Sequence, residues 1–213
     1  MTSLNKRWET KDESPFSTKI REAVHPSGPL KPRINTAMRR ISVLVQKLDQ
    51  TTNRFGERDK SIFNGLVDSY ERHDMKRAHI LANELAEIRK MEQMTMQARI
   101  ALDQIELRLT TLTELGDITA TLAPVIGVLH GVKTSIAGVS PAVAKELGNI
   151  GDLLSGIALD SGVVGGMSIN FESVNEDSQK ILYEAATIAE QRMKTKFPQL
   201  PAAEEETGEK LKP

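Results

Sequence analysis

The sequence predicts an all-α fold, a long antiparallel helical hairpin followed by shorter helices. Three observations carry this. Apolar residues repeat in alternating steps of three and four over two long stretches, the spacing of a helical seam. Aromatic residues make up only 4% of a chain that is 39% hydrophobic, and Leu, Ile, Ala and Met abound, a balance that suits helices better than a sandwich or barrel. Ten of the 14 glycines fall between positions 116 and 166, so the chain changes texture after the second stretch.

Residues 1–33 contain Pro15, Pro26, Pro29 and Pro32 among Ser and Gly and are expected to be a flexible, basic N-terminal segment. From there Ile34, Ala37, Ile41, Leu44, Leu48, Thr51 and Phe55 form an a/d seam, which Ile62, Phe63, Leu66, Val67 and Tyr70 continue. Gly56 and Gly65 weaken this first helix without ending it. The pattern lapses at Glu71-Arg72-His73-Asp74, and Asp74 is a plausible N-cap for a second helix. That helix carries Leu81, Leu85, Ile88, Met91, Thr95, Ala98, Leu102, Ile105, Leu109 and Leu112. Met91 lies on this seam as core filler. The hairpin spans 34–115 and forms, with two short helices at about 119–130 and 141–160, a core over 34–165. Ser140 would cap the last of these, with Pro141 in its first turn. Ser161-Gly162-Val163-Val164-Gly165-Gly166 reads as a linker. A final amphipathic helix at about 173–195 follows, with Ile181, Leu182, Ala185, Ile188, Ala189 and Met193 on one side. Residues 197–213 combine a proline motif with an acidic, disordered tail.

The formal net charge of −1 hides an asymmetry. Residues 1–60 hold 13 Lys/Arg against 7 Asp/Glu, whereas residues 146–213 hold 6 against 12. A basic front and an acidic back suit an anionic surface, or the acidic end of another subunit, as partner. There is no cysteine, hence no disulfide framework and no Cys-based metal site, which fits a reducing cytoplasm. No apolar h-region follows the N-terminal cations. The longest run without Lys, Arg, Asp or Glu, 118–132, holds Pro124 and His130 and is too short to span a bilayer.

No enzyme chemistry is legible. His25, His73, His79 and His130 lack an i, i+4 partner histidine, the glycine-rich stretch lacks the G-K-[ST] of a phosphate loop, and there is no G-x-S-x-G. The expectation is a non-enzyme without metal or cofactor. A binding feature stands out instead. Arg33, Arg40, Lys47 and Arg54 recur every seven residues, with Arg39 alongside. Seven residues is nearly two turns, so the cations form a stripe drifting only about 20° per heptad. One reading pairs the stripe with Glu84, Glu87, Glu92 or Glu106 of the second helix, as flanking charges do in coiled coils. A second sets it against an anionic membrane, helped by Lys6, Arg7 and Trp8 at the N-terminus. A third sets it against DNA phosphates, as in a DNA-associated coiled-coil structural protein.

Near the C-terminus the run Phe197-Pro198-Gln199-Leu200-Pro201 follows Arg192, Lys194 and Lys196. Two prolines hold the chain extended and remove donors, so the apolar residues project as fixed anchors for a groove on a partner.

The segment from Asp74 to Lys90, preceded by residues 59–70, resembles the second and first helices of ESCRT-III proteins, most closely the archaeal CdvB cell-division type. The order of basic first helix, hairpin, two short helices, linker and fifth helix is similar throughout residues 31–201. The resemblance implies a subunit that polymerises with itself and with paralogues into membrane-bound filaments for constriction or scission. Such a subunit would lie in the cytoplasm, peripheral on the inner face of the membrane at the division site, with no nucleic acid as partner. Phe197, Pro198, Leu200 and Pro201 match the family's Pro-rich motif for the MIT domain of an AAA+ ATPase, CdvC. Arg33, Arg39, Arg40 and Lys47 match its basic first helix. Relatives of this kind close by folding the acidic C-terminal part back on the hairpin. Only 12 residues follow Pro201, which implies a short paralogue without the winged-helix domain that recruits CdvA.

Overall fold

A computed structural model describes residues 30–115, 118–160 and 171–197. These form five helices, and no strand occurs among the described residues. Helix α1 runs Leu30–Glu71, α2 Met75–Leu115, α3 Ile118–Ile136, α4 Pro141–Asp160 and α5 Phe171–Lys196. The N-terminal segment with Lys6, Arg7 and Trp8, the linker, and Pro198 onward lie outside the described residues.

The expected hairpin is present. At 1.5 Å per residue its arms are roughly 60 Å long. Helix α1 begins at Leu30, inside the stretch expected to be extended. Pro32 is no obstacle there, because the first-turn N–H groups of a helix have no partner to lose. The tip is a tight reversal. The Asp74 N–H reaches the Ser69 carbonyl at 2.9 Å and the His73 N–H that of Tyr70 at 3.0 Å, the paired bonds of a Schellman motif. His73 occupies the left-handed position, φ 59°. Asp74 caps α2 as expected: its Oδ1 accepts from the Arg77 N–H at 3.1 Å.

Two apolar clusters fill the fold. The larger joins Ile34–Leu48 of α1 and Met96–Leu112 of α2 to α3, α4 and α5. The smaller lies toward the tip and holds Ile62, Leu66, Ala78, Leu85 and Ile88. Between them the hairpin has a polar waist, where Asp59, Glu92 and Thr95 are buried. Val67 and Tyr70, expected on the seam, are exposed, because no third element among the described residues covers the tip.

Helix α3 runs six residues past the expected stop near 130. Leu122, Val125, Leu129, Val132 and Ile136 are all buried at helical spacing, and that burial outweighs the roughly 1 kcal/mol that Gly131 costs a helix interior. Helix α4 starts at Pro141 as expected, after the Ala144 N–H closes on the Ser140 carbonyl at 3.0 Å. Helix α5 lies antiparallel to α2 and buries Ile181, Ala185 and Ala189. It also approaches α3 closely. A Cβ at Gly127 would stand 2.4 Å from Ser178 Oγ, and one at Gly131 2.6 Å from Leu182 Cδ1.

Candidate functional site

Among the described residues the stripe cations form no ion pair with α2. Arg33 pairs with Asp160 at the end of α4, and Arg40 Nη1 lies 3.8 Å from Glu146 Oε1 near its start. Among the described residues, Lys47 and Arg54 have no ion pair, and both are exposed. Arg39 is exposed too, with only a long 3.4 Å contact to Thr36 Oγ1. The reading that pairs the stripe with Glu84, Glu87, Glu92 or Glu106 is therefore not the one the described residues show. Arg58 takes Glu84 at 2.6 Å and Lys196 takes Glu92 at 2.6 Å, while Glu106 only lines a shallow groove beside Arg39. The reason is angular. The seam buries one face of α1 against α2, and the seven-residue repeat places the cations on a flank where α4 packs. Arg39, Arg40, Lys47 and the half-exposed Val43 line an open groove of about 410 Å³ there, closed on one side by Ala142 and Glu146 of α4.

A second cluster forms where α5 ends on the polar waist. Lys196 Nζ reaches Glu92 Oε1, and Glu92 has no exposed surface. Its Oε2 has no hydrogen-bond partner among the described residues. Burial pushes the Glu92 carboxyl above the usual carboxylate range, against the opposing pull of Lys196. Lys196 passes close over Gly56 of α1, where a Cβ would stand 2.8 Å from its Nζ. Phe197 follows at once. Its ring centroid lies 4.8 Å from Arg89 Cζ and 5.3 Å from Lys196 Nζ, a cation–π arrangement. Arg89 is held in turn by Asp59, with Nε 2.7 Å from Oδ1. So Phe197 is half-buried against the chain itself, whereas Pro198, Leu200 and Pro201 lie outside the described residues. Among the described residues no group of three or more His, Asp or Glu is placed to hold a metal, and no helix is long and apolar enough to cross a membrane.

The chain is 42% identical over 203 residues to Cell division protein B1 of Sulfolobus acidocaldarius, an alignment covering 95% of this chain and 94% of that protein. The chain belongs to the archaeal CdvB-type cell-division protein family. A second CdvB-type relative, Cell division protein B of the same organism, is 30% identical over 175 residues, covering 80% of this chain and 67% of its own length. No protein-family model and no solved structure matches the chain. The helical hairpin is the architecture that the sequence resemblance to CdvB-type proteins implied. Sequence reasoning missed the α5 seat. Its legible signal was a lone glutamate, Glu92, one turn before Thr95 on a helix that otherwise buries apolar residues, with Lys194 and Lys196 at the end of the last amphipathic stretch.

Proposed function

We propose that this chain works in archaeal cell division as a non-enzymatic, polymerising subunit of a membrane-associated filament. One observation carries the reading: a rigid helix of roughly 60 Å bears cations every seven residues, and Arg39, Lys47 and Arg54 on it stay exposed. At about 1 kcal/mol per cation near an anionic surface, three give a weak, salt-sensitive attraction. Polymerisation multiplies such weak contacts, because each added subunit binds at high effective concentration. The names of the two relatives supply the cell-division part of the proposal.

In this reading the subunit assembles with its own copies and with paralogues on the inner face of the membrane at the division site and contributes to constriction or scission. Lys6, Arg7 and Trp8 add to the membrane contact. The described structure is the closed form, with α4 and α5 folded onto the hairpin, and assembly requires their release. Phe197, Pro198, Leu200 and Pro201 then dock in the MIT domain of an AAA+ ATPase, which takes subunits out of the polymer. Vesicle pelleting tests the surface. The wild type should sediment with anionic vesicles at low salt, and R39E/K47E/R54E should not. Equal sedimentation of both proteins, or a gel shift of duplex DNA tighter than the vesicle binding, would remove the stripe from the account.

A further inference from the structure

Three cations of α1 share one concave site. Arg39, Arg40 and Lys47 line the open groove of about 410 Å³ between α1 and α4, a volume in the range of small-ligand sites. Glu146 is the carboxylate that lines it with them, so the groove carries two positive charges net. These cations are under-used. Arg39 and Lys47 are exposed and form no ion pair among the described residues. Arg40 has Glu146 at 3.8 Å, with the two side chains 47% and 35% accessible. A pair so long and exposed contributes little, and a guanidinium has five N–H donors to share. Arg40 can therefore take a better acceptor while α4 stays in place. The opposite wall is the first turn of α4, where Ala142 lies. First-turn N–H groups have no acceptor within their helix, and that end carries the positive pole of its dipole.

We propose that this groove is a binding site for a phosphate monoester, either a free small molecule or the headgroup of a lipid. Charge selects the class. A monoester carries about −1.5 to −2 at pH 7, which matches two net positive charges, whereas a diester carries a single one. Geometry agrees with charge. Arg40 and Lys47 stand seven residues apart, about 10 Å along α1, so both side chains can close on one phosphate. Arginine also offers paired N–H groups to two of its oxygens. Val43, 51% exposed, sets an apolar patch beside the cations for the carbon part of the ester. A duplex or a flat bilayer meets the ridge of the stripe, whereas a recess walled by α4 admits a compact group. Arg54 continues the stripe outside the groove, so the ligand and a surface contact draw on separable residues. The site does not depend on the reading of the stripe as a membrane contact.

Calorimetric titration of the full-length protein with glycerol 3-phosphate tests the site. Binding should saturate. It should weaken at least about tenfold in R39Q/K47Q and less than about threefold in R54Q/K60Q, whose cations lie outside the groove and form no ion pair among the described residues. A142E places an acid where an acid suits the helix dipole, so it should fold normally and lose the ligand. Dimethyl phosphate, a diester, should bind at least about tenfold more weakly. A ligand held between α1 and the first turn of α4 should slow amide exchange of residues 141–160. Vesicles then separate the two sources. Preference for phosphatidic acid over phosphatidylglycerol at equal surface charge, lost in A142E, assigns the site to a lipid headgroup. Equal partition, with glycerol 3-phosphate bound, assigns it to a free ester. Absence of both glycerol 3-phosphate binding and the phosphatidic acid preference overturns the inference. Binding indifferent to R39Q/K47Q and A142E, or dimethyl phosphate bound as tightly, overturns it too. Loss of all vesicle binding with glycerol 3-phosphate still bound sinks the membrane reading and leaves this site standing.

Discussion

Replacing Lys196 by Ala removes the partner of a buried carboxylate and nothing else of comparable weight. Glu92 is fully covered, and among the described residues its Oε2 already has no hydrogen-bond partner. Without Lys196 both oxygens are unmatched. Leaving a buried charge without its counter-ion costs about 3–5 kcal/mol. The carboxyl has a cheaper escape, because it can take a proton. Neutralising a glutamate of ordinary pKa, about 4.3, costs about 3.7 kcal/mol at pH 7 and about 1 kcal/mol at pH 5. These figures cap the loss. The sign follows from linkage. Burial already raises the Glu92 carboxyl above its unfolded value, and Lys196 holds that rise down. The variant raises it further, so the folded chain binds the proton more tightly than the unfolded chain. Its stability then falls as pH climbs from the unfolded pKa to the raised one. Urea unfolding followed by far-UV circular dichroism at the two pH values reads this directly. If α5 detaches before the hairpin melts, the same loss appears as faster amide exchange across residues 171–196. The expected deficit is up to about 3.7 kcal/mol at pH 7, shrinking to about 1 kcal/mol or less at pH 5. E92Q/K196A should recover most of it. A deficit under about 0.5 kcal/mol at pH 7 with unchanged exchange of α5, or one that does not shrink at pH 5, would refute the reasoning.

Three further outcomes follow from the geometry. In Gly127→Val the new side chain meets Ser178, whose Oγ is 2.4 Å from the Cβ position. Overpacking of this kind costs about 1–3 kcal/mol, so exchange of α5 should rise while that of α1 stays slow. His73→Gly should stabilise the protein by about 0.5–1 kcal/mol, since the left-handed conformation at φ 59° strains any residue with a Cβ; a thermal melt that shifts down contradicts it. Leu200→Asp should abolish binding to the ATPase's MIT domain in a calorimetric titration while leaving vesicle binding unchanged, and undiminished affinity removes Leu200 from the docking motif.

Much of the fold was legible because local and tertiary signals agree. The seam of Ile34, Ala37, Ile41, Leu44 and Leu48 is buried as its spacing requires, and Asp74 caps where the pattern lapses. The misses share a physical cause. A seven-residue charge repeat fixes which cations share a flank but not which element covers it, so the sequence left acids of α2, a membrane and DNA open as partners, and those of Arg33 and Arg40 lie on α4. Gly131 reads as a helix weakener in isolation, yet Val132 and Ile136 carry α3 past it. Gly56 likewise gave no hint of its close contact, which is with a lysine 140 positions away. Phe197 reads in the sequence only as a candidate anchor for a partner, and its chain-internal contact with Arg89 left no signal there. Contacts between residues so distant in sequence leave no periodic trace.

Electron microscopy of the purified protein with anionic vesicles, at low and at moderate salt, tests the central claim most directly. The account predicts filaments or coated, deformed vesicles at low salt, thinning as salt screens the stripe, and bare vesicles for R39E/K47E/R54E. Polymer on the vesicles that is indifferent to both salt and those substitutions would contradict it.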